Sequence, residues 1–524
     1  MKRRPFRRSF RGHLTRTLRL AAGAALVASG ISGAARAADD QVARGEYLTT
    51  LGDCIGCHQG EGYAPYSGGR YMDMPFGKIY VPNITPDKKT GIGTWTDAQF
   101  IRLMRHGIAA DGTYIYPAMP YPWYNTMTTE DLLAIKAYLF SLKPVNAPSK
   151  PEEIWFPFTI RPAIALWDAF FVPDKVFKPA PNQSALVNRG AYIVNGPEHC
   201  GACHNNRNFL GNMPIALSVE GAPITMWYAP NLRPDNLTGI GHYTIDDLVK
   251  FFKYGHSESM GPVAGPMGEV VDYSTSQLND FDLHAISTYL KSLKPVASYQ
   301  ARTAAYRPDR YAAGQAVYLE HCASCHQLNG DGIKDKIPAL DANGMVRALG
   351  PQSVIRVVIG GHPARGPYAL MPGVGAAMSD REVVDVTNYI RQSWSNHAPA
   401  NASLVLTSLI RKDTSTLQNG RRPNGCPDLA QPQLKQIIAD QSSGVGTLLS
   451  DTGAANMLQN VNAIIAKVKA AAPDLDQASI VNGLTDAYCP IVEKDTNLPS
   501  DLRNWQLTHF ADRVYVQLTT DGKY

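Results

Sequence analysis

Three segments of the chain carry apolar residues at the spacing that places them on one face of a helix. They are Leu132, Ile135, Tyr138 and Leu139; Leu283, Ile286, Tyr289 and Leu290; and Val383, Val386, Tyr389 and Ile390. A shorter helical pattern with a glycine and an aromatic residue precedes each of them: Gly45 with Tyr47, Gly190 with Tyr192, and Gly314 with Tyr318. We therefore predict three helix pairs, in which the glycine of the opening helix lets the closing helix pack against its backbone.

A fourth helical pattern lies beyond the last of these pairs. Met457, Val461, Ile464, Ile465 and Val468 fall on one face, so residues 399–524 are predicted to form a helical extension. No stretch after residue 37 reaches the roughly 18 uninterrupted apolar residues that a membrane-spanning helix needs.

The amino-terminal segment has the pattern of an export signal. Residues 1–37 contain nine Lys or Arg and no acidic residue, with an apolar run of 14 residues from Leu20 to Gly33 and then Ala35-Arg36-Ala37, an A-x-A cleavage pattern. The alternative is an uncleaved anchor helix, but this run is short for crossing about 30 Å of hydrocarbon. We predict that residues 1–37 are a signal peptide and that the protein is exported, while attachment to a membrane surface stays open.

Composition and charge exclude two classes of protein. The 524 residues are 44% apolar and 18% charged, which is typical of a globular chain with several domains and argues against disorder. The formal net charge of +5 comes from the leader, because the remaining residues hold 41 basic against 45 acidic side chains. Net charge therefore gives no support to a nucleic-acid partner.

Six of the eight cysteines lie in three copies of C-x-x-C-H. The copies are Cys54-Ile55-Gly56-Cys57-His58, Cys200-Gly201-Ala202-Cys203-His204 and Cys322-Ala323-Ser324-Cys325-His326. Two thiols three positions apart on a helical turn can bind the two vinyl groups of one porphyrin, and the adjacent histidine then ligates its iron. A zinc site would need a second Cys or His pair at a regular distance, and a thioredoxin-like site leaves the histidines unexplained. We predict three heme c groups.

The sixth iron ligand of each site is predicted to be a methionine, whose neutral sulfur favours the ferrous state. We select Met119 between prolines, Met267 in Gly-Pro-Met, and Met371 in Leu-Met-Pro-Gly. The alternative methionines are Met127, Met260 and Met378, and weaker histidine alternatives are His106, His256 and His362. His199 and His321 directly precede a motif cysteine and are expected to face solvent.

Internal repeats relate the first two regions. Pro82-Asn83-Ile84-Thr85-Pro86-Asp87 recurs as Pro230-Asn231-Leu232-Arg233-Pro234-Asp235, and the segment Tyr138–Val145 recurs as Tyr289–Val296. The predicted fold is mainly α, with three tandem class I cytochrome c domains plus a C-terminal helical extension. The boundaries are residues 38–145, 181–298 and 299–398 for the domains, 146–180 for an aromatic linker and 399–524 for the extension.

Over residues 40–398 the chain resembles the triheme cytochrome c subunit of membrane-associated bacterial alcohol, aldehyde, gluconate or sugar dehydrogenase complexes. The resemblance rests on the three C-x-x-C-H motifs, the P-N-x-x-P-D repeats and the Met-Pro-Gly segment. It implies a non-catalytic subunit that takes electrons from a quinoprotein, flavoprotein or molybdenum dehydrogenase subunit and passes them to ubiquinone or another acceptor such as a terminal oxidase. It also implies a periplasmic location, peripheral on the outer face of the inner membrane. The extension departs from this pattern.

The resemblance also implies the ligand sets. They are Cys54, Cys57, His58 and Met119; Cys200, Cys203, His204 and Met267; and Cys322, Cys325, His326 and Met371.

Two other functions stay open at this point. A free-standing periplasmic electron shuttle needs the same three sites, and a multihaem peroxidase or oxidase would have one iron without methionine. The chain lacks the nucleotide-binding, metalloprotease and serine-hydrolase motifs of common enzymes.

Two features lie outside the haem motifs. The aromatic linker around Trp155 and Trp167 is expected either to pack between the chain's own domains or to bind a partner or a membrane interface. In an oxidising compartment, Cys426 and Cys489 are expected to form a disulfide.

Overall fold

The computed structural model describes residues 39–495, apart from 61, 173–174, 208–217, 300–310, 421–425, 427–430, 454 and 476, together with 503, 506–507, 510, 513–514 and 517–518. The predicted signal peptide lies outside the described residues. The chain divides into two compact units, unit 1 at Met1–Phe177 and unit 2 at Lys178–Tyr524.

Unit 1 contains six described helices and one small sheet. The helices are α1 at residues 39–51, α2 Cys54–His58, α3 Asp97–His106, α4 Tyr121–Tyr124, α5 Thr129–Ser141 and α6 Pro162–Phe171. The strands β1 Tyr71–Met74, β2 Gly77–Tyr80 and β3 Glu153–Ile154 form an antiparallel sheet in the order β1-β2-β3.

In unit 2 the described elements are again mostly helices. They are α7 Ala185–Asn195, α8 Gly201–His204, α9 Ile245–Tyr254, α10 Pro266–Tyr273, α11 Asp280–Ser292, α12 Ala312–His321, α13 Ala323–His326, α14 Gln352–Gly360, α15 Asp380–Gln392, α16 Leu404–Gly420, α17 Pro432–Ala439, α18 Val445–Ser450, α19 Met457–Ala471 and α20 Gln477–Lys494. Two antiparallel hairpins complete the unit, β4 Ala222–Ile224 with β5 Trp227–Ala229 and β6 His256–Ser257 with β7 Gly261–Pro262. The prediction of a mainly α chain is confirmed.

The three closing helices, α5, α11 and α15, begin in the same way. The side chains of Thr128, Asn279 and Ser379 each accept a hydrogen bond from the backbone N–H three residues later. Such caps satisfy one of the N–H groups that the first turn of a helix leaves without a partner. These caps explain why the three helices begin at these residues.

Each closing helix packs against an opening helix at a glycine. A Cβ atom added to Gly45, Gly190 or Gly314 would collide with a backbone carbonyl oxygen of the partner helix. Those carbonyls belong to Ala134, Ala285 and Asp385 respectively. The predicted close approach of α1 to α5, α7 to α11 and α12 to α15 is therefore confirmed, and only glycine fits at these positions.

Each of the first two helix pairs contains an equivalent ion pair between its two helices. Arg44 on α1 donates to the Asp131 carboxylate on α5 at 2.6 Å, and Arg189 on α7 donates to Asp282 on α11 at 2.8 and 2.7 Å. Both aspartates are buried. Because a buried carboxylate is costly without a partner, these arginines fix the register of each pair.

The extension has a core of its own. The predicted face of α19, comprising Met457, Val461, Ile464, Ile465 and Val468, is buried against α20 and its neighbours. The predicted disulfide between Cys426 and Cys489 is present, with a sequence separation of 63.

Helix α16, the first helix of the extension, packs instead on the third region, where Arg411 donates to Asp380 at 2.7 Å. Within the described ranges, no helix is both long and apolar enough to cross a bilayer.

Candidate haem-binding sites

Each C-x-x-C-H motif folds as a short helical turn. The first forms α2, whereas Cys200 and Cys322 occupy the N-cap positions of α8 and α13. The six cysteines of these motifs are not joined in disulfides. Two thiols outside any disulfide on one helical turn, followed directly by an imidazole, are the arrangement that the attachment of one porphyrin requires.

Each of the three motif histidines makes an equivalent hydrogen bond. Their Nδ1 atoms lie near a proline carbonyl oxygen, at 2.8 Å for His58 and Pro82, 2.7 Å for His204 and Pro230, and 3.1 Å for His326 and Pro338. A carbonyl only accepts, so Nδ1 carries the proton and donates. The lone pair is then on Nε2, the atom free to bind a metal.

Burial keeps these groups neutral. It lowers the pKa of His204 and His326 to about 4, and it also lowers the pKa of His58, because the charged imidazolium loses its solvation. Burial likewise raises the pKa of the Cys54 thiol to about 12 and that of Cys200 well above its usual value. The histidines therefore present a neutral imidazole, the form that ligates iron.

The repeated P-N-x-x-P-D segment positions the proline carbonyl in the first two regions. Asn83 accepts a hydrogen bond from the Thr85 N–H at 2.9 Å and donates to the Val145 carbonyl at 2.7 Å. Asn231 makes the equivalent bond to the Val296 carbonyl at 2.8 Å. Each asparagine thus ties the proline loop to the residues that follow the closing helix. Both repeats are visible in the sequence, whereas this connection between them is not.

The third region reaches the same geometry by another route. Pro338 is followed by Ala339, and its loop is held by the Leu340 N–H, which donates to the Gly330 carbonyl at 2.7 Å. The third region lacks the P-N signal, so nothing in the sequence marked Pro338 in advance.

The second and third motifs line one continuous cavity in unit 2. It has a volume of about 330 Å³. Its wall includes Cys200, Cys203, His204 and Met267 together with Cys322, Cys325, His326 and Met371. The sequence predicts two separate sites, whereas the structure brings the two sets of residues together around one cavity.

Direct contacts between the second and third regions form this cavity. Arg365 makes a bidentate ion pair with Asp272, with both N–O distances at 2.8 Å. The Tyr368 hydroxyl donates a hydrogen bond to the Ser257 carbonyl at 3.1 Å. Ser353 accepts from the Tyr228 N–H at 3.0 Å. Three separate contacts of this kind hold the second and third regions together around this cavity.

The candidate methionines of unit 2 lie either on the cavity wall or in the protein core. Met371 and Met267 line the cavity, as does the alternative Met260, whereas Met378 lies in the buried core of the third region. Met371 is also fixed through its backbone, because its N–H donates to the His362 carbonyl at 2.8 Å and its carbonyl accepts from the His362 N–H at 2.7 Å. These positions favour Met371 over Met378 as a ligand.

In unit 1, Met119 is partly buried and packs on the same apolar cluster as Cys54. It lies in the turn that leads into α4, where its N–H donates to the Tyr116 carbonyl. The alternative Met127 is fully buried inside that cluster. Met127 therefore has the surroundings of a core residue.

Two histidines are less exposed than predicted, and a third is unsuited to bind iron. His199 and His321 were expected to face solvent, but both are half-buried and line the cavity. His362 also lines it, yet its Nε2 lies 2.9 Å from the Val263 carbonyl oxygen and its Nδ1 lies 2.7 Å from that of Pro363. Because both ring nitrogens face backbone carbonyls, His362 is poorly placed to bind iron.

These residues fit a haem group. Covalent haem attachment uses a pair of thiols at the spacing of one helical turn and a neutral imidazole with Nε2 available, beside an apolar cavity. Helix pairs around such sites define the class of c-type cytochromes.

Comparisons with known proteins agree. The Cytochrome c family model matches residues 42–143 and 311–394. Three relatives are similar over most of the chain. The cytochrome c subunit of alcohol dehydrogenase (quinone) from Gluconacetobacter polyoxogenes is 40% identical over 71% of this chain and 84% of its own length. The gluconate 2-dehydrogenase cytochrome c subunit from Pantoea cypripedii is 39% identical over 74% of this chain and 94% of its own.

The third relative is the fructose dehydrogenase cytochrome subunit from Gluconobacter japonicus, at 35% identity over 71% of this chain and 82% of its own length. The chain belongs to this family of c-type cytochromes, the cytochrome c subunits of dehydrogenase complexes. Its role is accordingly electron transfer.

Proposed function

We propose that this chain is a triheme c-type cytochrome that carries electrons from the catalytic subunit of a periplasmic dehydrogenase to ubiquinone or another respiratory acceptor. One observation carries the proposal. Three times in the chain, a C-x-x-C-H turn directs histidine Nδ1 at a proline carbonyl and leaves Nε2 for iron. Relatives whose names include alcohol, gluconate and fructose dehydrogenase support a dehydrogenase as the electron donor.

The roles of the residues follow from their positions. The cysteine pairs would hold the porphyrins through thioether bonds, and His58, His204 and His326 would each supply an iron ligand. Met119, Met267 and Met371 would supply the second ligand of each iron. When bound, haem supplies reversible one-electron chemistry at its iron. The chain supplies the apolar walls that exclude water and the hydrogen bonds that orient each imidazole.

Three tandem cytochrome c domains are part of this proposal. The family model matches the first and third regions. The middle region shares with the first the P-N-x-x-P-D repeat, the asparagine bond to a valine carbonyl and the Arg–Asp pair. It also has the glycine contact that occurs in all three helix pairs. These shared features support a third domain of the same kind between the two matched ones.

We further propose that the chain is a non-catalytic subunit, located in the periplasm and peripheral on the outer face of the inner membrane. The basic leader with its A-x-A pattern supports export. A quinoprotein, flavoprotein or molybdenum subunit would supply the electrons. If all three irons carry both histidine and methionine, none has an open position for oxygen or peroxide.

The count of covalent haems tests the central claim. The protein is produced in an export-competent host with intact cytochrome maturation, and intact-mass spectrometry counts the attached haems. We expect three in the natural chain and a reduced occupancy of the third site in Cys322→Ala. The variant Cys426→Ala/Cys489→Ala serves as the control and should keep three. A natural chain with two haems or none would contradict the triheme assignment.

Purification from the native membrane tests the partner. We expect a large subunit with a flavin, a quinone cofactor or molybdenum to accompany the cytochrome. A stable monomer would favour the free-standing shuttle. Carbon monoxide binding to the reduced protein as isolated would indicate an open iron and favour the peroxidase or oxidase.

A further inference from the structure

The aromatic linker exposes a large apolar surface on unit 1. Four of its side chains are mostly exposed, namely Trp155 at 67%, Phe156 at 80%, Leu166 at 64% and Phe170 at 75%. Phe158 and Ile160 between them are also exposed. Large apolar side chains are scattered singly on most protein surfaces, so a concentration of six within residues 155–171 indicates a surface that is covered in use. We name this the aromatic surface.

Helix α6 forms one half of the aromatic surface and is fixed to the first region. Its one charged residue, Asp168, accepts a hydrogen bond from the Tyr121 hydroxyl at 2.6 Å, and Ile164 on the same side is buried. The opposite side of the helix consists of Ala163, Leu166, Ala169 and Phe170, all exposed. The outer face of α6 is therefore apolar along its whole length.

The loop before α6 forms the other half. The Trp155 N–H donates to the Phe76 carbonyl at 3.0 Å, and the Phe158 ring stacks on the Phe76 ring with centroids 4.9 Å apart. The Tyr116 hydroxyl donates to the Phe158 carbonyl. Because these contacts hold the loop by its backbone and by Phe158, the rings of Trp155 and Phe156 stay directed outwards.

Both acidic and basic residues border this surface. Strand β3, which leads into Trp155, carries Glu153, and its carboxylate accepts from the Tyr80 hydroxyl at 2.6 Å. The neighbouring Glu152 is paired with Arg161. Lysines lie on both sides: Lys78 lies over the Tyr71 ring at 5.0 Å, Lys150 lies over the Tyr80 ring at 5.7 Å, and Lys175 is exposed just after α6.

We propose that the aromatic surface lies in the headgroup region of a bilayer with anionic lipids. Trp and Phe beside a flat apolar helix, bordered by lysines, are the composition of an interfacial membrane anchor. A protein partner would instead require roughly one hydrogen bond per 100–200 Å² of interface. The outer face of α6 consists of alanine, leucine and phenylalanine side chains, which provide none.

The proposal deepens the function proposed above, because it names the surface that attaches the cytochrome to the membrane. Tyr116 and Tyr121, which bind the aromatic surface, stand on either side of Met119 in the sequence. The bilayer would therefore lie next to the segment that carries the first methionine ligand. This position suits the transfer of electrons to an acceptor dissolved in the membrane.

Vesicle binding tests the proposal with the mature full-length holoprotein. Vesicles of phosphatidylethanolamine and phosphatidylglycerol are sedimented with the natural protein and with the triple variant Phe156→Ser/Leu166→Ser/Phe170→Ser. The control variant, Leu404→Ser/Val405→Ser/Leu409→Ser, removes three exposed apolar side chains from α16. We expect the natural and control proteins to bind and the linker variant to bind at least tenfold more weakly. Equal binding by all three proteins would overturn the proposal.

Further readouts separate the remaining outcomes. An unchanged haem count and visible spectrum show that the linker variant is folded. A natural protein that carries three haems but does not bind vesicles refutes the membrane surface alone, whereas a protein without haems refutes the proposed function. A linker variant that keeps vesicle binding but loses the dehydrogenase subunit would show that the surface binds protein, which also overturns the proposal.

Discussion

The side-chain amide of Asn231 donates a hydrogen bond of 2.8 Å to the backbone carbonyl of Val296. This bond joins two sequence repeats that look unrelated in the chain, because Asn231 belongs to the proline loop and Val296 follows the closing helix. The neighbouring carbonyl, that of Pro230, accepts a hydrogen bond from His204 Nδ1–H. Asn231 therefore helps to position His204, the proposed iron ligand, without touching it.

Asn231→Leu should disturb the second site. Asn231 is buried and also accepts from the Arg233 N–H, so leucine would leave buried polar groups without partners and cost about 2–3 kcal/mol of unfolding free energy. Urea unfolding checks the stability, and redox titration should show a shifted midpoint for one haem. Asn236→Leu, at an exposed position in the same loop, is the control and should change neither. Three unshifted midpoints in Asn231→Leu would contradict the positioning role.

Gly190→Ala should separate α7 from α11. The added methyl group would collide with the Ala285 carbonyl, and overpacking of this kind costs about 1–3 kcal/mol. Chemical unfolding followed by Soret absorbance measures the loss. Gly453→Ala is the matched control, since its Cβ would meet only one atom, at 4.0 Å, and it should stay within about 0.5 kcal/mol of the natural chain. Equal stability of the two variants would refute the close packing.

Met371→Leu should keep the third haem attached but lower its potential, because leucine cannot supply the sulfur that favours ferrous iron. Axial ligands move potentials over a range of about 0.8 V, so we expect a drop of roughly 100 mV or more. Met378→Leu provides the comparison, since Met378 lies in the core of the third region. If redox titration shows the drop in Met378→Leu and not in Met371→Leu, the ligand assignment is reversed.

Removal of the disulfide should loosen the extension and spare the haems. Cys426→Ala/Cys489→Ala opens a loop whose ends are 63 positions apart, and the chain-entropy account predicts a loss of about 4 kcal/mol. Limited proteolysis should then cut α17–α20 faster, while the Soret spectrum stays that of the natural protein. Unchanged proteolysis rates would mean that the core around α19 holds the extension without the covalent link.

The stability of the extension should also depend on pH through Asp486. Burial raises the pKa of this carboxyl to about 7 in the folded chain, above its usual 3.8. The folded state therefore binds more protons than the unfolded state between about pH 4 and pH 7, so stability falls as pH rises through this range. Asp486→Asn should remove this loss and add about 1–2 kcal/mol at pH 8, with little change at pH 4.5.

Urea unfolding at the two pH values measures this difference. Asp474→Asn, at an exposed position of the same extension, is the control and should have no effect at either pH. A gain in Asp486→Asn that is equal at pH 4.5 and pH 8 would show that the buried charge is not its cause.

The sequence predicted what depends on local pattern. The helix pairs with Gly45, Gly190 and Gly314 follow from spacing and from the need for a residue without a side chain. The link between Cys426 and Cys489 follows from their being the two cysteines outside the motifs in an exported chain. Periodicity and residue type were sufficient in both cases.

Longer-range relationships were not predictable. The Pro338 carbonyl accepts a hydrogen bond from His326 Nδ1–H. No repeat marks Pro338, because the backbone carbonyl of any residue can serve as an acceptor. The common cavity of His204 and His326 arises from contacts such as Arg365 with Asp272, which are distant in sequence. The strands β1 to β7 are too short to show a period of two over several residues.

The common cavity has a consequence for biogenesis. The second and third regions each supply part of the wall of this one cavity. With haem at both sites, as proposed above, both attachments are expected to precede the closure of this half of the polypeptide. Loss of the thioether bond at Cys322 is expected to make the proposed haem of the second region more accessible to solvent and oxidants. One failed attachment would then impair two haem sites.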